Sequence, residues 1–224
     1  MWQTAAKRPP SKGVSPIHAG LWCLLLWGLV GCGGTAPVVK IGLVAPFEGQ
    51  RRALGYDVIY SARLAVREIN LAGGVGGYRV ELVALDDAGD PELAQQAAAS
   101  LSLDPMVVAV VGHWLPPTTA AAATIYAQAG LPLLPGGVSP LQAAPPQELP
   151  ASFHAAYTAI TPFDEQPGPY AGAAYDAFQL LRAALERAAQ SGPVDRAAIT
   201  AALTGLEITG FNGAVFQPPL ETTP

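Results

Sequence analysis

The sequence offers few side chains whose types and spacings could do chemistry. Its three histidines, His18, His113 and His154, are far apart, and none has neighbours at the spacing of a metal site. We therefore interpret each as a surface or core histidine. Asp86 and Asp87 are adjacent carboxylates, but neighbours in a turn that ends a strand point in different directions, so we interpret them as solvated turn residues. The sequence predicts neither a metal site nor a cofactor.

Sequence motifs of common enzyme folds are also missing. The loop expected at residues 46–55 has no G-x-G-x-x-G, and the chain has neither a P-loop lysine motif nor a G-x-S-x-G turn. Charged residues make up 13% of the chain and the formal net charge is -5, which offers no basic surface for a nucleic acid. Neither an enzyme nor a nucleic-acid-binding protein is expected.

Cys32 is the side chain with the most specific chemistry. It follows an N-terminal region with basic but no acidic side chains and then an apolar run at residues 19–30, the layout of an export signal. The run has about a dozen residues, whereas a membrane-spanning helix needs about 20, so we favour a cleaved signal over a permanent span. The last residues, LVGC at 29–32, resemble the lipobox of bacterial lipoproteins, whose cysteine thiol carries a diacylglycerol. The alternative is an ordinary cysteine near a signal cleavage site.

Removal of residues 1–31 would make Cys32 the mature N-terminus and would remove Cys23 with the signal. Neither a disulfide nor a cysteine-based metal site is then available. Residues 32–37 are predicted to be a flexible tether that lets the folded part stand off the membrane. The folded part is expected to start near Val38 and to form one domain or two small ones.

From Val38 onward, apolar runs alternate with amphipathic segments. Runs of β-branched residues predict buried parallel strands, and apolar residues at helical spacing predict helices with one buried face. The predicted strands are residues 38–45, 78–85, 106–111, 131–134 and 213–216. The predicted helices are residues 54–69, 91–101, 120–129, 153–160, 170–188 and 196–203, and the predicted N-caps include Asp90 and Asp195. This order favours an α/β fold with a doubly wound, mainly parallel sheet and helices on both faces.

Several short sequences carry a family resemblance through their order along the chain. They are IGLVAP at 41–46, AVREIN at 65–70, GGVGG at 73–77, DDAGDP at 86–91, VVGH at 110–113 and YAGAAYDA at 170–177. Each is weak by itself, but together and behind a lipobox they are specific. The chain resembles the substrate-binding lipoproteins of branched-chain amino-acid (Leu/Ile/Val-type) ABC transporters, which have the type 1 periplasmic-binding fold.

The resemblance implies that this chain is lobe one of a two-lobed protein. In the family, the chain leaves lobe one after a segment that matches residues 135–141, builds lobe two and then returns. Here the departure and the return are almost adjacent. Lobe one is therefore expected in two segments, residues 38–141 and 153–216, with lobe two excised in the junction at 142–152 and a Pro-rich tail at 217–224.

The expected ligand site lies at one edge of the sheet. In open α/β sheets, ligands bind beyond the carboxyl ends of the strands, where the strand order reverses. The loops expected there are residues 46–54, 112–119 and 135–139. By resemblance, Leu54 would touch the ligand side chain. The groups that hold the ligand carboxylate would be those of Thr118, Thr119, Gly137 and Ser139.

The residue types suit this role. A helix that begins at Thr118 or Thr119 offers free N–H groups and a positive dipole end, Gly137 allows a close backbone approach, and Ser139 can donate its hydroxyl. The alternative is that the threonines merely cap a helix and that Gly137 merely turns the chain. Pro116 and Pro117 stand where relatives commonly have serines, and proline has neither a hydroxyl nor an N–H. We therefore expect the ligand to differ from a simple branched-chain amino acid.

The resemblance implies a lipid-anchored extracytoplasmic solute-binding protein, in the periplasm or at the cell surface. It would bind an amino acid or a similar small polar solute for an ABC permease. The alternatives are an inactive truncated remnant, an incomplete gene model, or a ligand-sensing subunit. A lone lobe has half the contacts and cannot close around a ligand, so weak or absent binding is expected. Its uncovered apolar cleft floor is expected to favour association.

Overall fold

The computed structural model describes residues 35–211 and 215–216 of the chain. The described residues from Ala36 onward belong to one compact unit. The expected export signal, Cys32, His18 and the Pro-rich tail lie outside the described residues.

A four-stranded parallel sheet forms the centre of this unit. Its strands are β1 (Val38–Ala45), β2 (Arg79–Asp86), β3 (Val107–Val111) and β4 (Leu133–Leu134), in the spatial order β2-β1-β3-β4. β1 pairs with β2 along its whole length and with β3 on its other side. Because helices cover both faces, β3 is a continuous apolar run, and β1 is apolar except for Lys40 near its start.

Six helices surround the sheet in the described part of the chain. They are α1 (Arg52–Leu71), α2 (Pro91–Leu103), α3 (Pro116–Gln128), α4 (Ala151–Ile160), α5 (Ala171–Ala189) and α6 (Arg196–Leu203). Short 3₁₀ helices lie at Gly49–Arg51 and Pro146–Glu148, and β5 (Ile208–Thr209) pairs with β6 (Val215–Phe216) in an antiparallel ribbon. The doubly wound, mainly parallel α/β fold predicted from the sequence is confirmed.

The core has two main parts, one on each face of the sheet. Ile41 and Leu43 of β1 belong to the part formed with α1, α5 and α6, which includes the fully buried Phe178. Val44 belongs to the opposite part, with α2 and α3, which includes Tyr126. Successive strand residues point to opposite faces, so one strand supplies both parts. Complete burial of a side chain such as Phe178 contributes about 1.5–3 kcal/mol.

The helix boundaries follow local chemistry. Asp90 accepts hydrogen bonds from the backbone N–H groups of Glu92 and Leu93 at 2.7 and 3.1 Å, and Asp195 accepts one from Ala198 at 2.8 Å. Both predicted N-caps are confirmed. The helix predicted at 120–129 begins earlier, at Pro116. Proline suits the first helical position because its φ is already helical and that position needs no N–H donor.

Arg196 ties the amino-terminal edge of the sheet together. Its guanidinium donates to the backbone carbonyls of Asp104 at 2.8 Å, Val107 at 2.9 Å and Ala129 at 3.1 Å. These carbonyls lie after α2, in β3 and after α3. One cation on α6 thus supplies donors to the ends of two helices, whose last carbonyls have no partner within the helix.

A half-buried carboxylate, Asp57, and a buried one, Asp176, fasten other segments to the helices. Asp57 on α1 accepts the N–H groups of Gly168 at 3.0 Å and Tyr170 at 3.4 Å. Asp176 on α5 is 6% exposed and accepts the N–H of Phe211 at 3.2 Å. Burial disfavours the charged form and raises the pKa of Asp57 to about 6 and the pKa of Asp176 to about 6.

These raised pKa values predict how stability depends on pH. Between about pH 4 and pH 6, the folded chain binds more protons at Asp57 than the unfolded chain does, so this group's contribution to the free energy of unfolding falls as the pH rises through that window. Asp57→Asn should reduce the stability difference between pH 4 and pH 7 by on the order of 1–3 kcal/mol, measured by urea unfolding. Asp164→Asn is the control, because Asp164 is exposed. An unchanged pH profile for Asp57→Asn would contradict the prediction.

Candidate functional site

Open α/β sheets bind ligands in a crevice at the carboxyl edge where the strand order reverses, and here the order reverses between β1 and β3. The chain passes from β1 to β2 on one side and then crosses to β3 on the other side of β1. The connections after β1 and β3 lead to α1 and α3, which cover opposite faces of the sheet, so this carboxyl edge has the topology of a switch point. Gly112 permits close approach of the two strands, since a Cβ at its φ of +121° would lie 2.1 Å from the Val44 carbonyl oxygen.

Asp86 holds the loop that follows β1. Its Oδ1 accepts the backbone N–H groups of Phe47 at 2.7 Å, Ala88 at 2.9 Å and Glu48 at 3.4 Å. A carboxylate at the end of β2 therefore fixes the first loop of the crevice and its own turn together. Asp86 is half-buried and occupied by these donors.

The backbone carbonyl of His113 joins the second and third loops. It accepts the Thr119 hydroxyl at 3.0 Å and the Gly136 N–H at 3.1 Å. The loop after β3 and the loop after β4 are therefore held by one acceptor. The structure brings together two of the three loops that the sequence assigned to the site.

A buried chain of polar side chains lies beneath these loops. The Asp87 carboxylate is 2.7 Å from Nδ1 of His113, and His113 Nε2 is 3.2 Å from the Tyr126 hydroxyl. Asp87 and His113 are 0% exposed. The interpretation of Asp87 as a solvated turn residue is therefore wrong, because its turn packs against the end of β3. The interpretation of His113 as a core histidine is confirmed.

His154, Asp86 and Asp87 each bond to groups within the protein. His154 is half-buried and its Nε2 is 2.9 Å from the Pro146 carbonyl oxygen, so it is a structural histidine. Asp86 and Asp87 do point to different partners, as expected for neighbours in a turn. Within the described residues, no group of three His, Cys, Asp or Glu side chains could hold a metal ion.

Sequence reasoning did not select Trp114, yet it packs between the loop after β3 and the loop after β4. It is 2% exposed, and its ring centroid is 5.9 Å from that of Tyr170 in an edge-to-face arrangement. Gly136 lies against the indole so closely that a Cβ there would be 2.3 Å from Cδ2. A tryptophan followed by a distant glycine carries no periodic signal, so tertiary contact alone reveals this pair.

The two threonines are placed differently from expectation. Because α3 begins at Pro116, the first two helical positions are prolines without N–H groups. Thr118 is fully buried and donates its hydroxyl to the Leu115 carbonyl at 2.9 Å. The Thr119 hydroxyl donates to the Leu115 and His113 carbonyls, both at 3.0 Å. In this arrangement both hydroxyls serve the first turn of the helix.

The remaining predicted residues are at the rim. Gly137 and Ser139 are exposed, and the Gly137 N–H donates to the Leu141 carbonyl at 2.8 Å. Gly137 has a φ of +75°. Leu54 is half-buried in the first turn of α1 and packs against the core, on the other side of the switch in strand order. Of the three predicted hydroxyl residues, which all lie in the described part of the chain, Thr118 and Thr119 donate to backbone carbonyls. Ser139 is exposed, and its hydroxyl is available to a ligand.

Comparison with known proteins gives the family. Residues 38–161 match the model of the periplasmic binding protein family, and the chain belongs to that family. An amino acid binding protein of Pseudomonas aeruginosa is 35% identical over 103 residues, which are 46% of this chain and 28% of that protein. The Leu/Ile/Val-binding protein homolog 2 of Brucella abortus is 34% identical over 127 residues, which are 55% of this chain and 34% of that protein. The chain thus spans about a third of the length of these relatives.

A solved structure agrees on the fold. The branched-chain amino acid transporter substrate binding protein LivJ from Streptococcus pneumoniae, in complex with isoleucine, superposes with a TM-score of 0.65 at 17% identity. The alignment covers 79% of this chain and 90% of that chain. The type 1 periplasmic-binding fold is therefore shown, and membership of the family implies an extracytoplasmic location. Within its described residues the chain has no helix that is both long and apolar enough to cross a membrane.

The packing of the third loop on Trp114 yields a prediction. A Cβ at Gly137 would lie 2.6 Å from the Trp114 carbonyl oxygen, so Gly137→Ala should lower the free energy of unfolding by about 1–3 kcal/mol. Gly130→Ala is the matched control: Gly130 also has a positive φ, of +60°, but a Cβ added there would meet no atom within 4 Å. Urea unfolding of both variants separates the contact from the backbone strain. Equal losses would contradict a tight third loop.

Proposed function

We propose that this chain is lobe one of a lipid-anchored, extracytoplasmic solute-binding protein that serves an ABC importer. Its ligand is an amino acid or a similar small polar solute. The observation that carries the proposal is the reversal of strand order between β1 and β3, where the loops after β1, β3 and β4 are held by backbone and carboxylate acceptors. Loops fixed before a ligand arrives lose little conformational freedom on binding.

The ligand class is supported by the relatives. The matching proteins of Pseudomonas aeruginosa and Brucella abortus are named as an amino acid binding protein and a Leu/Ile/Val-binding protein homolog. The rim of this crevice offers the exposed Ser139 hydroxyl, a donor suited to a carboxylate. We assign carboxylate binding to the rim at Ser139, where Gly137 turns the backbone and Thr118 and Thr119 hold the helix end. We place Leu54 on the side of the ligand side chain.

The missing second lobe is part of the proposal. β4 ends at Leu134 and α4 begins at Ala151, and the segment between them holds a single turn of 3₁₀ helix at Pro146–Glu148. The Ala144 N–H donates to the Pro169 carbonyl at 2.9 Å, which fastens this junction to the segment before α5. These contacts support a direct passage at 142–152 in place of lobe two. The chain's coverage of about a third of its relatives agrees with this.

The sequence around Cys32 supports the anchor. An apolar run that ends in LVGC fits export followed by lipid attachment to the cysteine thiol. The tether at 32–37 would place the folded unit close to the membrane, where a permease receives the solute.

The expected affinity follows from a half-site, that is, a ligand site formed by lobe one alone. Without lobe two, the ligand keeps one set of contacts and no closure, so amino acids should bind with millimolar dissociation constants. In ¹H–¹⁵N spectra of the full chain titrated with leucine, valine, threonine or alanine, saturable shifts should centre on Thr119, Gly137 and Ser139.

A matched pair of variants sharpens this experiment. Ser139→Ala should weaken binding several-fold, because it removes the exposed donor, whereas Ser191→Ala should not, because Ser191 lies in the loop after α5. Absence of shifts at the rim would remove the support for a ligand site there. Submicromolar affinity would contradict the half-site.

The anchor is tested with the two cysteines of the chain. In a bacterial host fed an alkyne fatty acid, Cys32→Ala should abolish incorporation of the label. Cys23→Ala should leave the labelling unchanged, because Cys23 lies within the apolar run. Equal labelling of the wild type and Cys32→Ala would show that Cys32 is not the lipidated residue.

A further inference from the structure

Asp87, His113 and Tyr126 form a buried hydrogen-bonded chain of side chains, and none of the three belongs to the proposed ligand site. Its members come from three elements: the turn after β2, the loop after β3, and α3. All three side chains are at most 1% exposed. None can touch a solute in the crevice, so any contribution to binding must act through other residues.

The side-chain polar atoms of Asp87, His113 and Tyr126 are all hydrogen-bonded under a single assignment of their protons. Asp87 accepts the Gly89 N–H at 2.9 Å with one oxygen and faces His113 Nδ1 at 2.7 Å with the other. A carboxylate can only accept, so we assign the imidazole proton to Nδ1. Nε2 is then an acceptor, and the Tyr126 hydroxyl donates to it across 3.2 Å. The imidazole ring is thereby fixed at both nitrogens.

Fixing the ring fixes the carbonyl of the same residue. The His113 carbonyl is the acceptor shared by the Thr119 hydroxyl and the Gly136 N–H, at 3.0 and 3.1 Å. The next residue, Trp114, packs against Gly136 and Tyr170. A rotation or displacement of His113 would therefore move both rim loops together.

We propose that Asp87, His113 and Tyr126 are positioning residues. They fix the positions of the two rim loops, residues 112–119 and 135–139, relative to each other. The inference rests on the proposed function, since it concerns the same site. It adds that the geometry of the rim depends on a hydrogen-bonded chain that the solute never contacts.

The first test measures loop order without a ligand. Native-state amide hydrogen exchange of the full chain is compared for Asp87→Asn, His113→Gln and Tyr126→Phe. Protection of the Gly136 N–H should fall by at least about tenfold relative to the Gly112 N–H. Gly112 is a suitable reference because it bonds to the Leu134 carbonyl at 3.0 Å beside the strand ladder.

A control variant separates positioning from general stability. Asp104→Asn breaks the 2.8 Å ion pair with Lys40, before β3 at the opposite edge of the same sheet. It should lower the protection of the Gly136 and Gly112 amides by the same factor. If the three variants also lower both amides equally, the positioning role is overturned. Should His113→Gln fail to fold, Tyr126→Phe, which loses one hydroxyl, decides the question by the same ratio.

A spectroscopic readout gives independent evidence. In a full chain with Trp2, Trp22 and Trp27 changed to Phe, Trp114 is the remaining tryptophan. Its emission should shift to longer wavelength, and acrylamide quenching should increase, in the Asp87 and His113 variants but not in Asp104→Asn. Unchanged emission in all variants would overturn the proposal.

A titration with a ligand distinguishes the positioning role from the proposed solute-binding function. Leucine is the probe, and loss of rim shifts in Tyr126→Phe with a native fold supports positioning of the site. If wild type shows no shift with any amino acid, the proposed function fails, while the ratio of Gly136 to Gly112 exchange still decides whether the buried chain positions the loops.

Discussion

The placement of β1 between β2 and β3 is the constraint on which the rest of the structure depends. β1 pairs along both of its edges, helices cover both of its faces, and its two sets of side chains contribute to the two parts of the core. The same placement forces the connections after β1 and β3 to opposite faces, so the crevice is a consequence of strand order rather than of any particular side chain. Helices α1 and α3 both begin at this edge.

The loops at the crevice are stabilised mainly by acceptors that gather backbone donors. Asp86 collects the N–H groups of the first loop, and the His113 carbonyl collects donors from the second and third loops. Asp57 does the same for the segment before α5. A buried or half-buried carboxylate that accepts several N–H groups is costly to remove, because each donor would lose its partner. The rim is therefore ordered by the fold before any solute is present.

Much of this could be predicted from the sequence. The strands, the alternation with helices and the N-caps Asp90 and Asp195 follow from local patterns, because periodicity and capping depend on neighbours along the chain. The local structure around the candidate site was predicted less well. The helix expected to begin at Thr118 or Thr119 begins at Pro116, and the hydroxyls of both threonines bond to the Leu115 carbonyl. The burial of Asp87 was missed, since its partner His113 is 26 residues away.

The sequence by itself determined the α/β class, the order of the elements, the family resemblance and the signal-like segment that ends at Cys32, since each is written in residue types at short spacing. Only the tertiary structure decided which polar groups meet. Asp87, His113 and Tyr126 come together, and Trp114 meets Gly136, because parallel pairing brings the ends of separate strands to one edge. Contacts between distant segments depend on which strands lie side by side, and local patterns do not encode that order.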